Sequence, residues 1–118
     1  LLAAAHHMSK RGAVLVRDGG AEIKLRHKDI LYIESLGCGC AVHGNNTHYL
    51  TGNTLKYYLE YLHLPDFFQV SRTHIVSMEH VVKLDEQYIY LDSDERITVS
   101  RRLRKKCRTI YKEYLGIK

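Results

Sequence analysis

The stretch from Phe67 to Leu84 constrains this chain more than any other. It runs Phe67-Phe68-Gln69-Val70-Ser71-Arg72-Thr73-His74-Ile75-Val76-Ser77-Met78 and continues at once into Glu79-His80-Val81-Val82-Lys83-Leu84. An apolar anchor, a polar and basic island, and an apolar pair lead into a strand. Ser71, Arg72, Thr73 and His74 all carry hydrogen-bond donors, and Arg72 is permanently charged. Donors interrupting a segment otherwise suited to a core, and held by it, suit a surface that meets an anion.

At 118 residues the chain is long enough for one core and too short for two substantial domains. Lys and Arg outnumber Asp and Glu by 18 to 13, a net charge of +5. That excess permits nucleic acid, anionic lipid or an acidic protein as partner and selects none of them. No apolar run approaches the ~20 residues that span a bilayer, so no membrane partner is expected. Leu1 to Ala5 lacks the basic lead of a secretory signal. The chain starts with Leu, so residues 1–12 read as a linker or cloning remnant and 13–118 as the domain. Three cysteines are an odd number, and Cys38 and Cys40 stand too close to pair comfortably. Reduced thiols and a cytoplasmic setting are expected.

The first half reads as β structure. Ala13–Arg17 and Ala21–Arg26 flank Asp18-Gly19-Gly20 as a hairpin. Ile30-Leu31-Tyr32-Ile33 is a continuous apolar run suited to a central strand, and two further strands flank the turn signal Gly44-Asn45-Asn46. Asn53 or Thr54 can cap a helix whose Leu55, Tyr58, Leu59 and Leu62 share one face, ended by Pro65. Strands follow around Ile75, Val81, Tyr88 and Arg96, and a second helix starts after Ser100, its expected N-cap.

That last helix has two faces. At ~100° per residue, Leu103, Cys107, Ile110 and Tyr114 gather on one side, and Arg101, Arg104, Lys105 and Arg108 on the other. A merely solvated face mixes signs, yet no acid occurs from Ile97 to Lys112. Three arginines beside the positive end of a helix oppose its dipole, and a phosphate there removes the conflict.

With these segments in place, the chain resembles the LytTR family of DNA-binding domains, output modules of bacterial response regulators. The resemblance covers roughly Ala13 to Tyr114. It rests on Asp29-Ile30-Leu31-Tyr32-Ile33-Glu34-Ser35, Thr54-Leu55, Phe67 to Ser77, and Ile97-Thr98-Val99-Ser100-Arg101-Arg102, in that order. It implies an elongated, mostly β fold with one short internal helix and a C-terminal helix, whose loops enter successive major grooves. The implied DNA-binding residues are Cys38, Gly39 and Cys40 in a first loop, Ser71, Arg72 and Thr73 in the island, and Arg101, Arg102, Arg104 and Lys105 at the last helix. The family often has His where this chain has Ser71, and commonly Asn, Lys or His where it has Cys38-Gly39-Cys40. The resemblance also implies double-stranded DNA as partner, an upstream receiver domain, a dimer on DNA, and no cofactor.

On chemistry alone, Arg101 suits the O6 and N7 of guanine, while Ser71, Thr73 and the remaining cations suit phosphates; Arg72 fits either role. Two other readings compete. One is a β-rich protein-interaction module using its basic face on an acidic partner. The other is a thiol- or metal-dependent sensor built on Cys38 and Cys40, although one C-x-C with scattered His lacks the usual zinc spacing. No G-x-S-x-G, P-loop or H-E-x-x-H occurs, so the chain is not expected to be an enzyme.

Overall fold

The computed structural model describes residues 12–117. The segment read as a linker or cloning remnant therefore lies, apart from Gly12, outside the described residues. β1 (Ala13–Asp18) and β2 (Ala21–Arg26) form a hairpin. β3 (Tyr32–Ser35), β4 (Cys40–Gly44), β5 (Thr47–Thr51), β6 (Phe67–Ser71) and β7 (His74–Ser77) form a five-stranded sheet in the order β5-β4-β3-β7-β6. β8 (Val81–Leu84), β9 (Tyr88–Leu91) and β10 (Arg96–Thr98) form the third sheet, and every strand pairing described is antiparallel. The helices are α1 (Leu55–Leu59) and α2 (Arg104–Leu115). The molecule is mostly β and elongated, 41 × 26 × 24 Å.

The five-stranded sheet is apolar on both faces at its centre, and that arrangement organises the rest. Successive residues of a strand point to opposite faces. Tyr32 on β3, Phe68 on β6 and Val76 on β7 enter one core with Val81, Ile89, Ile97, Cys107 and Ile110 from the third sheet and α2. Their neighbours Ile33, Phe67 and Ile75 enter a second core with Val14, Val16, Leu25, Leu55 and Tyr58 from the hairpin and α1. Doubled apolar residues are thus the mark of strands sandwiched between two layers. Burying each such side chain contributes roughly 1.5–3 kcal/mol before the entropy cost of ordering it.

Both helices differ from expectation at one end. Thr54 caps α1, its Oγ1 accepting from the Tyr57 N–H at 3.1 Å. The helix closes at Leu59, earlier than its apolar repeat predicts. Pro65 disfavours helical backbone at Leu64, so it bars the helix from continuing past that point but does not set its end at Leu59. The Tyr61 and Leu62 N–H groups still bond to the Tyr58 carbonyl, at 3.0 and 2.9 Å, which turns both side chains inward without another α turn. At the second helix, Ser100 makes no side-chain cap, and the chain opens with a 3-10 turn at Arg101–Leu103. The Ser100 N–H instead donates to the Val70 carbonyl at 2.8 Å, which ties the start of the helical segment to β6. The predicted apolar stripe is otherwise as expected, with Cys107 and Ile110 buried and Leu103, Tyr111 and Tyr114 packed against the same core. Burial pushes the Cys107 thiol up to about 11, so it behaves as a small apolar group.

A histidine fastens the hairpin layer to the third sheet. His80 Nδ1 lies 2.9 Å from Asp92 Oδ2, and Nε2 lies 2.5 Å from the Lys28 carbonyl. Both partners are acceptors, so the ring meets both only as imidazolium, with each nitrogen donating. Burial by itself would lower the His80 pKa, but these two hydrogen bonds and the Asp92 and Glu79 charges outweigh it and raise the value. A raised folded-state pKa gives stabilisation that is full below the unfolded value, about 6.5, and is lost as pH rises through the folded value. His74 and His27 are shifted downward and act in the opposite sense. The difference between native and His80→Gln unfolding free energies should therefore be largest near pH 5.5 and shrink toward pH 8.5, which denaturant titration at each pH will measure. A difference that stays constant with pH would mean that the ring is neutral.

Candidate nucleic-acid interface

Two chain reversals and the start of the C-terminal helical segment meet at one end of the five-stranded sheet. The first joins β3 to β4. Ser35 pairs with Cys40, and the Leu36 N–H donates to the Gly39 carbonyl at 2.8 Å, which leaves Gly37 and Cys38 as a two-residue turn. Gly37 has φ +92°, a conformation that side-chain-bearing residues rarely adopt. Gly39 is required for a different reason: a Cβ there would stand 2.1 Å from the Thr51 carbonyl oxygen. Cys38 is exposed, whereas Cys40 is buried and its thiol belongs to the core beneath the sheet. Burial raises the Cys40 pKa and makes it a poor nucleophile. Of the expected first-loop residues, Cys38 alone presents a side chain outward.

The second reversal is the island. A bulge between Gln69 and Ser71 precedes a tight turn, with Ser71 paired to His74 and Arg72-Thr73 at the tip. Arg72 and Thr73 are exposed. The Ser35 N–H donates to the Thr73 carbonyl at 2.7 Å, so β3 anchors this turn beside the first. The side chains are organised as well. The Thr73 N–H donates to Ser71 Oγ at 3.2 Å, and Thr73 Oγ1 lies 2.8 Å from His74 Nδ1. Behind the ring, His74 Nε2 lies 3.9 Å from Glu34, which also meets His43 Nε2 at 3.1 Å. Tyr32 stacks on His43 and anchors its hydroxyl on Glu95 at 2.8 Å. The polar island is a turn backed by its own hydrogen-bonded support.

The third element is the start of the C-terminal helical segment, held to β6 by the Ser100–Val70 bond. Arg101, Arg102, Lys105, Lys106 and Arg108 are exposed. Arg104 is half-buried, its Nε donating to the Val99 carbonyl at 3.3 Å, which leaves its terminal nitrogens to face outward contacts. A groove of about 610 Å³ separates this segment from the island. Ser71, Arg72, Ser100, Arg102 and Lys106 line it together with His63, Gln69 and apolar residues that include Leu62 and Phe67. No carboxylate lines it.

Lys106, which was not among the residues expected from sequence, lines this groove with Arg102. Sequence reasoning placed the cations on the side directly opposite the apolar stripe, whereas Arg102 and Lys106 lie on the flank that turns toward the island. Their i, i+4 spacing was the available signal. Among the described residues, no three His, Cys, Asp or Glu side chains are grouped so as to hold a metal ion. No described helix is long and apolar enough to cross a membrane.

Comparison with known proteins agrees with this architecture. The profile of the LytTr DNA-binding domain family matches residues 21–112, which include both reversals and the start of the C-terminal helical segment. No curated protein sequence matches the chain. Among solved structures, a Bacillus cereus chain described as the LytTr DNA-binding domain of a methyl-accepting/DNA response regulator superposes with a TM-score of 0.70. It is 17% identical, and the alignment covers 90% of this chain and 98% of that one. At that identity the likeness speaks for the fold, and the family profile carries the assignment: the chain belongs to the LytTr family of DNA-binding domains.

Proposed function

We propose that the domain binds double-stranded DNA with sequence preference, as the output module of a transcriptional regulator of the two-component type. The observation that carries this reading is the convergence of the Gly37-Cys38 turn, the Arg72-Thr73 turn and the cationic start of the helical segment at one end of the sheet. Cations there without intervening carboxylates favour a polyanion, and donors on rigid turns favour a fixed register along it. Arg72 and Arg101 are the side chains long enough, and rich enough in paired donors, to read guanine in the major groove. Ser71, Thr73, Arg102, Arg104, Lys105 and Lys106 hold phosphates. Cys38-Gly39 approaches the backbone closely and reads nothing itself. An upstream receiver domain brings two copies to neighbouring half-sites.

Selection of bound duplexes from a random pool tests the reading directly. The expected result is one enriched motif per domain. With about five phosphates neutralised, log affinity against log salt should fall with a slope of about −4.5. Salt-dependent binding with no enriched motif would overturn sequence preference and favour an acidic partner of another kind.

A further inference from the structure

The support behind the island is more elaborate than a surface turn needs. His74 is half-buried, with its Nδ1 against Thr73 Oγ1 at 2.8 Å and within 3.5 Å of Ser71 Oγ. The charged and titratable groups around it are Glu34 and Tyr32 on β3, His43 on β4 beyond Glu34, and Arg72 in its own turn. Glu34 behind Nε2 favours a proton on that nitrogen, because a lone pair there would face a carboxylate. In the neutral ring Nδ1 is then the acceptor, and the single Thr73 hydroxyl proton points inward to it. The outward side of Thr73 Oγ1 presents only lone pairs, which a phosphate oxygen repels.

We propose that His74 is a positioning residue for DNA binding: taking up a proton at Nδ1, it donates to Thr73 Oγ1 and so turns the Thr73 hydroxyl proton outward to a phosphate. One proton is taken from solvent to Nδ1, the Thr73–His74 hydrogen bond reverses so that Nδ1–H donates to Thr73 Oγ1, and the freed Thr73 hydroxyl proton makes one hydrogen bond to phosphate; no covalent bond other than the new N–H changes. The inference rests on the DNA-binding reading and adds a proton to it. It fits the state of the free domain. Burial lowers the His74 pKa, Glu34 offsets part of this, and His43 lowers it further, so the ring is neutral before DNA arrives. Binding and proton uptake are then linked, and affinity rises as pH falls.

The test uses the domain and a duplex from the selection above, at constant ionic strength between pH 6 and 8. Affinity of the native chain should rise roughly three- to tenfold as pH falls from 8 to 6. His74→Gln should abolish most of the gain. Thr73→Val, which keeps the side-chain shape, should abolish the same share, and the double variant should lose no more than either alone. In the native chain, the titration midpoint of the His74 ring protons should move up when the duplex is added. A Thr73→Val variant that keeps the native gain would reduce His74 to a bare charge and overturn the hydroxyl relay. A His74 midpoint unmoved by DNA would overturn proton uptake, even if the variants fold poorly. Binding to no duplex at any pH would instead overturn the DNA reading, and this inference with it.

Discussion

Replacing Gly39 with alanine is expected to destabilise the domain by about 3 kcal/mol and to abolish DNA binding at temperatures where the native chain is active. The added Cβ would lie 2.1 Å from the Thr51 carbonyl oxygen and 3.2 Å from its carbon. These are backbone atoms of β5, which pairs with β4 immediately beyond the site, where Cys40 meets Thr51. No side-chain rotation relieves the contact. Either β4 and β5 separate at that end or the Gly37-Cys38 turn shifts, and both displace the first reversal from the island. Gly52→Ala is the matched control, since nothing lies within 4 Å of a Cβ there and its φ is ordinary. Urea unfolding of the two variants should differ by most of that amount. Equal stabilities would mean that the β4–β5 end yields easily and that Gly39 is not fixed by close approach.

Gly39 also marks what a sequence conceals. Its neighbourhood reads as a Gly-rich loop, but the need for glycine comes from Thr51, twelve residues away, and only the strand pairing puts them together. Local patterns were legible where the responsible interactions are local. Strand alternation, the Thr54 cap and the apolar stripe of α2 follow from spacing alone, and the doubled apolar residues at Phe67 and Ile75 correctly announced a core. The length of α1 was not legible, because the tight turn that buries Leu62 preserves its apolar repeat without the helix. Cys40 shows the same limit at the site. Cys38 and Cys40 look equivalent in a C-x-C, yet the first lies in the turn and the second opens β4, where it packs under the sheet. That Lys106 joins Arg102 in lining the groove was not legible, because which flank of the helical segment meets it is set by how α2 docks on β6 rather than by the helix itself.

Under the proposed function, that docking predicts a division of labour among the arginines. Arg101→Ala is expected to weaken binding to the selected site by about 1–3 kcal/mol, roughly five- to 150-fold, and to relax preference at one base position. Arg101 is exposed in the 3-10 turn, ahead of α2, where its whole guanidinium is available for two parallel bonds to guanine. Arg104 is placed differently. With Nε committed to the Val99 carbonyl, the plane of its guanidinium is held against the protein. A group fixed in that way meets a phosphate with its remaining donors but cannot swing into a groove. Arg104→Ala should therefore weaken all duplexes alike and make the salt slope shallower by about one unit. Measuring each variant against the selected duplex and a scrambled one, at several salt concentrations, separates base reading from phosphate contact. Arg101→Ala should narrow the gap between the two duplexes, and Arg104→Ala should leave that gap intact while lowering both affinities. If both variants lower the two affinities equally, the start of the helical segment serves only to hold the backbone. Base reading would then fall to the Arg72 turn, which is anchored to β3 through the Ser35–Thr73 bond and to His74 through Thr73.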